Sequence, residues 1–426
     1  MIFAPPRGMR DFYPEDMRIR NKIFDAWKKA ARLHGFEEYD APVVETEELL
    51  IRKSGEEIVQ QIYNFTDKSD RRLALRPEMT PSLARMVVAR QKMLTYPLKW
   101  FSIPQCFRYE RMTKGRKREH YQWNLDIIGQ ETVTAEAEIL CTAITALKFL
   151  GLSAADFRVR VGNRALLADL FKIVGLADNH FMPVCMVLDK MGKITEQETR
   201  DLLVAEQLTE SDISKVLELM ALSSLEAVEA RLGTTPKSAA DLRALFDMMH
   251  VAGLGDFLEF DISIIRGLSY YTGIVFEAFD TKKNFRAIFG GGRYDNLLSS
   301  LGGEKTPCVG LGFGDVVIAE LLNSLSKLDE SQNLPGVMLG YMTDAEKIYA
   351  RQLATGLRAQ NIPVNFALEP EKAKKFFTRA NKSGAAHTIY IGADEVTQQI
   401  FTIKNMTTGA PTTHSLEALK SGQVGL

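Results

Sequence analysis

The sequence predicts an α/β protein in two parts: a large N-terminal α+β domain over residues 1–325, interrupted by a helical insertion at about 175–252, and a small C-terminal α/β domain over 335–426. Three observations carry this. Helix-period and strand-period segments interleave from Pro14 to Val161 and resume at Leu258. Between them, residues 175–252 are rich in Leu, Ala, Glu and Asp at helical spacing and nearly free of β-branched runs. The polar stretch LLNSLSKLDESQNLPG, about 321–336, ends in Pro-Gly and reads as a linker. A chain of 426 residues also exceeds the length at which one hydrophobic core keeps growing.

Pro14 opens a helix whose apolar positions Ile19, Ile23, Ala26, Trp27, Ala30, Ala31 and Leu33 recur at helical spacing until Gly35 closes it. FEEYDAPVVE follows as a strand. Residues 62–65 and 71–75 bracket the turn-forming TDKSD as a hairpin, and a helix starts near Thr80 with Glu78 just before it. Residues 100–109 read as a strand, RMTKGRKRE as a basic loop and residues 121–129 as the returning strand. A helix over 136–150 and the alternating strand FRVRV lead to the helical insertion. Strand patterns return at 258–265, 273–279 and 285–289, after which GGGRYDNLL is expected to turn into a helix. Past the linker, VMLGYM, a helix over 345–360, IPVNFAL, a helix over 371–383, HTIYIG and IFTIKNM alternate β and α.

Composition narrows the function classes. The 53 basic and 54 acidic residues leave a net charge of −1, so no global field advertises a polyanionic partner and any nucleic-acid surface is local. Cys106, Cys141, Cys185 and Cys308 form no CxxC pair and read as free buried thiols, consistent with a reduced cytoplasm. Six dispersed histidines argue against a structural zinc site. No apolar run of membrane-spanning length occurs, and no P-loop, GxSxG or HExxH signature is present.

Chemistry concentrates in a few segments. RGLSYYTGIVFE places Arg266 before Tyr270 and Tyr271; this is either a hairpin with a solvated arginine or a strand that holds a small polar ligand against an anion. The cations from Arg108 to Arg118, with aromatic residues on both sides, are either a solvated hairpin tip or a clamp for triphosphate or an RNA end. Arg108 and Glu110 share one strand face, a pairing suited to a phosphate and a base. Gln122, Asn124 and Asp126 likewise share a face, opposite Trp123 and Leu125, as in a concave polar pocket or an exposed sheet. Glu78 reads as a helix-capping carboxylate or an ammonium ligand, and Gly290 to Gly292 with Arg293 as a glycine-rich corner or a phosphate-cradling turn.

Together these segments resemble the histidyl-tRNA synthetase family of class II aminoacyl-tRNA synthetases, in the family's order and over essentially the whole chain. PPRGMRDFYPEDM and its helix are similar to motif 1, RPEMTPSLAR to the ammonium-binding segment and FRYERMTKGRKREHYQWNLDIIG to motif 2. RGLSYYTGIVFE and GGGRYDNLL are similar to the histidine-site segments. The resemblance implies an antiparallel class II sheet flanked by helices, with a C-terminal anticodon-binding domain. It implies adenylation of L-histidine by ATP with Mg²⁺, no protein metal site, transfer to tRNA(His), a homodimer in the cytoplasm and no membrane contact. Carried over residue by residue, Arg108 and Arg266 meet the α-phosphate as the catalytic cations. Glu110 meets the adenine, and Arg116 the terminal phosphates or tRNA. Glu78, Thr80 and Gln122 hold the ammonium, Asp126 and Tyr271 the imidazole, Arg266 also the carboxylate, and Tyr270 belongs to the same histidine site.

Three positions depart from the family pattern. Val317 stands where motif 3 has an arginine that meets ATP, so that either Arg293 or a loop residue substitutes or adenylation is weakened; Ser269 stands where aspartate is frequent, and Asp126 where glutamate is frequent. Val317 also supports a competing reading, a histidine-sensing regulatory subunit of ATP phosphoribosyltransferase that charges no tRNA. A synthetase for threonine or proline is disfavoured by the RGLSYYTG run.

Overall fold

The computed structural model describes residues 3–54, 61–109, 115, 117–191, 194–265, 271–328 and 336–420. The chain divides into two compact units, Met1–Leu328 and Asp329–Leu426. The first is organised around a nine-stranded sheet, among the described residues, in the order β1-β5-β7-β12-β11-β10-β8-β9, with β6 also on β7. These strands are β1 (Glu37–Glu38), β5 (Leu98–Ser102), β6 (Gln105–Phe107), β7 (Glu119–Ile128), β8 (Phe157–Asn163), β9 (Leu258–Phe260), β10 (Ile274–Asp280), β11 (Phe289–Arg293) and β12 (Cys308–Gly314). The pairings are antiparallel except β1 with β5 and β8 with β9. Strands β2 (Val44–Thr46), β3 (Tyr63–Thr66) and β4 (Arg72–Leu75) form a separate small sheet.

Helix α1 (Pro14–Leu33) ends where the apolar period stops, and its buried face of Ile23, Ala26, Trp27, Ala30 and Ala31 is the one the spacing predicts. It packs on the sheet beside α4 (Thr134–Phe149) and α12 (Asp315–Ser324). Trp27 stacks on Trp123 of β7 at 5.8 Å between ring centroids, and both indoles are fully buried. The same face of β7 sends Leu125 and Ile127 into this core. The opposite face carries Gln122, Asn124 and Asp126, so the period-two alternation is realised in a strand covered on both sides. The intervening helices of this unit are α2 (Glu47–Ser54) and α3 (Thr80–Arg90), and then a run with no long strand. That run comprises α5 (Arg164–Ile173), α6 (Phe181–Leu188), α7 (Glu196–Ala205), α8 (Glu210–Met220), α9 (Leu225–Leu232) and α10 (Lys237–Val251). The short α11 (Leu297–Ser300) follows β11.

Five local expectations fail. FEEYDAPVVE is two strands in two sheets, β1 and β2, because the chain leaves the large sheet before Pro42. The strand expected over 100–109 breaks at Ile103 and Pro104, where proline removes a ladder donor, into β5 and β6. The strand expected over 258–265 stops at Phe260, and the one expected over 285–289 begins only at Phe289, because the Asp280 carboxylate holds the amides of Asn284 and Phe285 in the connection before it. GGGR is no turn: Gly290, Gly291, Gly292 and Arg293 lie within β11, flanked on both sides by paired strands. Cys106, Cys185 and Cys308 are buried free thiols, whereas Cys141 is only partly covered. Burial pushes the Cys106 thiol up to about 12.

Lys99 and His34 both reach the carboxylate of Glu138 on α4, at 2.7 and 3.3 Å, joining α1, β5 and α4. The His34 hydrogen bond, with help from Lys99, holds the Glu138 carboxyl down at about 2, against an ordinary value of 4.5. A depressed carboxyl stabilises the fold above its unfolded pKa, and this contribution is lost as pH falls from about 4.5 towards 2. Glu138→Gln is therefore expected to lower stability at pH 7 and flatten the acid limb of a stability-versus-pH curve; an unchanged limb would refute the clamp.

The second unit is a five-stranded sheet, β14-β13-β15-β16-β17, among the described residues. It is built from β13 (Val337–Tyr341), β14 (Val364–Phe366), β15 (His387–Ile391), β16 (Ile400–Asn405) and β17 (Pro411–Ser415). Helices α13 (Lys347–Ala359), α14 (Ala373–Ser383), α15 (Ala393–Gln398) and α16 (Leu416–Lys420) complete it. The β13 pairings are parallel, as the alternating β and α pattern requires, and Leu339, Leu353, Ile389 and Phe401 sit in its core.

Among the described residues, no helix is long and apolar enough to cross a membrane.

Candidate active site

The polar face of β7 lies over a floor of glycines. Across the β7–β12 ladder Asp126 pairs with Gly310, Asn124 with Gly312 and Gln122 with Gly314, and Gly292 and Gly290 of β11 continue the rows. The glycines leave room that the polar side chains fill. A Cβ on Gly310 would stand 2.9 Å from the Asp126 carboxyl carbon, and one on Gly312 would stand 3.0 Å from the Gln122 amide carbon. Gln122 to Asp126 spans four residues, roughly 13 Å of strand, enough to address two ends of one ligand.

At one end Asp126, nearly inaccessible, accepts a 2.6 Å hydrogen bond from the Tyr294 hydroxyl. Tyr271 and Tyr294 belong to a buried cluster with Leu83, Val87, Val275 and Leu297, so an apolar wall stands beside a carboxylate and two phenols. Tyr39 also lies close, and burial, reinforced by the Asp126 charge, pushes its phenol well above the ordinary value. Such a site is a ring-sized compartment with one fixed anion.

Gln122 donates to Asn124 at 2.9 Å and faces the other end. There a cavity of about 800 Å³ is lined by Arg108, Lys117, His120, Gln122, Arg160, Glu277, Lys283, Arg286, Gly312, Val316 and Val317, among others. Its excess of cations and its size suit a nucleotide. The Arg108 guanidinium donates to the Pro77 carbonyl at 2.9 Å and the Phe107 amide to the Arg76 carbonyl, fastening the segment that carries Glu78 and Thr80. Helix α3 begins at Thr80, capped by Met79 with no side-chain bond, while Glu78 and Thr80 are buried at its mouth.

Among the sequence-predicted residues, Arg108 and Gln122 line the cavity. Glu78, Thr80, Asp126 and Tyr271 are buried and do not line it. Glu110, Arg116, Arg266, Tyr270 and Ser269 lie outside the described residues. Arg293 is not available to replace an arginine at Val317. It is locked to Glu136 by two bonds of 2.7 and 2.6 Å and also donates to the carbonyls of Gln130 and Thr132. Burial pushes the Glu136 carboxyl up despite that partner.

Other participants escaped the sequence reading. Tyr294 follows directly on the glycine run, a position that identifies it only once β11 is known to be a strand. Arg160 was legible as an alternating residue of FRVRV, but its position across from Glu277 is set by the sheet. Arg10, from the N-terminal segment, bridges Glu119 at 2.6 Å and Asp315 at 3.0 Å. Asp315 accepts the Tyr121 amide and is pushed up by burial, with Arg10 opposing. This bridge fixes the start of α12 against β7.

Comparison with known proteins agrees with this architecture. The family model for histidyl-tRNA synthetase matches residues 8–314, and that for an anticodon binding domain matches residues 337–422. A relative from Arabidopsis thaliana, named histidine--tRNA ligase, chloroplastic/mitochondrial, is 45% identical over 95% of this chain and 83% of its own length. The histidine--tRNA ligase of Leptospira biflexa is 38% identical over 94% of this chain and 92% of its own. The crystal structure of histidyl-tRNA synthetase from Nostoc sp. PCC 7120 superposes with a TM-score of 0.85, covering 99% of each chain at 22% identity, and shares the fold. With its antiparallel-rich sheet, its cationic cavity beside a carboxylate-and-phenol compartment, and these matches over nearly its whole length, the chain belongs to the histidyl-tRNA synthetase family.

Proposed function

We propose that this chain is a ligase that activates L-histidine with ATP to histidyl-adenylate and transfers the histidyl group to the 3′ end of tRNA(His). The observation that carries this reading is the polar lane of β7, which joins the Asp126–Tyr294 compartment to the cationic cavity through Gln122. Asp126 and Tyr271 take the imidazole, whose N–H donates to the buried carboxylate; Glu78, Thr80 and Gln122 take the ammonium, and Tyr270 completes the pocket. A side chain without a ring N–H denies the buried carboxylate the substrate's donor, a larger penalty than a missing methylene.

The histidine carboxylate oxygen forms a bond to the α-phosphorus as the bond to the pyrophosphate oxygen breaks. Arg108 and Arg266 offset the charge that develops on the phosphoryl oxygens, so the chain acts by positioning and electrostatics, with no general base. Glu110 holds the adenine and Arg116 the terminal phosphates. Mg²⁺ would accompany the triphosphate, and Glu277 and Asp189 are carboxylates that line the cavity and would hold it. Bound there, it would neutralise phosphate charge.

The C-terminal unit is the part that reads the anticodon. Helix α14 presents Lys374, Lys375, Arg379 and Lys382 to solvent, preceded by Lys372, a local cationic face on a chain of near-zero net charge. A homodimer in the cytoplasm completes the reading, and light scattering tests the dimer. The regulatory-subunit alternative is not favoured, because the named relatives are ligases and an anticodon-binding unit is present.

The test is ATP–pyrophosphate exchange by purified protein with histidine, threonine and proline. Exchange with histidine alone is expected; none, in protein that binds histidine, would return the regulatory reading. Tyr271→Phe is expected to raise the histidine KM about tenfold, the value of one buried hydrogen bond, with the ATP KM unchanged. An unaltered histidine KM would remove Tyr271 from the pocket.

A further inference from the structure

We propose that Arg286 is a ligand of the β- and γ-phosphates in the nucleotide site, supplying from the β10–β11 connection the cation that the start of α12 lacks. The inference rests on the nucleotide reading of the cavity given above. The first turn of α12 offers that cavity only apolar groups, Val316 and Val317, each nearly buried. Beside them stands Arg286. A Cβ on Gly115, in the loop between β6 and β7, would meet the Val317 side chain at 3.5 Å and the Arg286 stem at 3.8 Å. Gly115, Val317 and Arg286 thus converge on one point of the wall.

The other described guanidinium groups near this wall are engaged. Arg160 pairs with Asp261 at 3.2 Å, Arg108 is tied through its Nε to the Pro77 carbonyl, and Arg293 is locked to Glu136. Arg286 makes no hydrogen bond or ion pair among the described residues, so its five donors remain available. Its backbone is nevertheless anchored. The buried Asp280 carboxylate accepts the amides of Asn284 at 2.9 Å and Phe285 at 3.0 Å, and Ile288 donates to the Ala278 carbonyl at 2.7 Å. A fixed backbone carrying a free planar fork suits bidentate capture of phosphate oxygens, which an ammonium at the same place would match less well.

The experiment compares wild-type protein with Arg286→Ala and Arg286→Lys, using ATP and AMP binding by calorimetry and histidine-dependent exchange. Arg286→Ala is expected to weaken ATP about tenfold while AMP affinity, histidine KM and melting temperature stay unchanged; Arg286→Lys is expected to recover part of the loss. Equal ATP affinity in Arg286→Ala and wild type would overturn the proposal. So would a parallel loss of AMP affinity, which would mark a contact to adenosine or the α-phosphate, or a general disturbance. Absence of exchange in wild-type protein that still binds ATP would count against the proposed reaction, while the ATP-to-AMP comparison would still decide the role of Arg286.

Discussion

Arg293→Ala is expected to destabilise the N-terminal unit by about 3–5 kcal/mol, a large part of the stability of an ordinary domain. Arg293 and Glu136 are both buried, and their two-point pairing joins β11 to α4. Without the guanidinium, a carboxylate that is 1% exposed loses its counter-charge, and the carbonyls of Gln130 and Thr132 lose a donor. The pH dependence distinguishes this cause from a simple cavity. Burial already holds the Glu136 carboxyl above its ordinary 4.5, and removal of Arg293 raises it further. A raised carboxyl binds a proton more tightly in the folded state, so stability is retained below the unfolded pKa and lost as pH rises through the folded one. The variant's deficit is therefore expected to be larger at pH 8 than at pH 5. Urea denaturation followed by tryptophan fluorescence measures it, and a loss under about 1 kcal/mol at pH 8 would show that the pair is dispensable.

Gly310→Ala is expected to lower kcat/KM for histidine on the order of 10²-fold or more, while ATP binding is retained, because a misplacement of about 1 Å at a positioning group is enough for such a loss. The added methyl cannot coexist with the Asp126 carboxylate in its present place. Backbone on both sides of the contact belongs to the β7–β12 ladder, so the side chain is what moves. Moving it breaks the 2.6 Å bond from Tyr294 and turns the compartment's fixed anion away from an imidazole. Gly312→Ala is a graded companion: it meets the end of the flexible Gln122 amide at 2.8 Å, so a smaller loss is expected. Steady-state exchange kinetics in histidine and in ATP separate the two effects, and a near wild-type histidine KM in Gly310→Ala would remove Asp126 from the recognition of the substrate.

The elements that the sequence determined by itself are those whose cause is local. Helix α1 could be read because Ile23, Trp27 and Ala30 repeat at the helical period, and the polar lane of β7 because Gln122, Asn124 and Asp126 repeat at the strand period. The two-unit division was marked by a polar stretch, and the order of the motif-bearing segments sufficed to suggest the family. Tertiary structure decided what depends on distant partners. Local propensity assigns a glycine run to a turn, but β11 is a strand because paired strands lie on both sides and Phe276, Val275 and Tyr271 occupy the space over Gly291 and Gly292. Tyr294 meets Asp126 across 168 positions of sequence, and Arg293 meets Glu136 across 157. No periodicity encodes such meetings. They follow from the order in which β7, β12, β11 and β10 lie side by side, which is set by burial of the whole sheet against α1, α4 and α12. The same packing engages Arg293 with Glu136 and leaves Arg286 open to the cavity beside Val317.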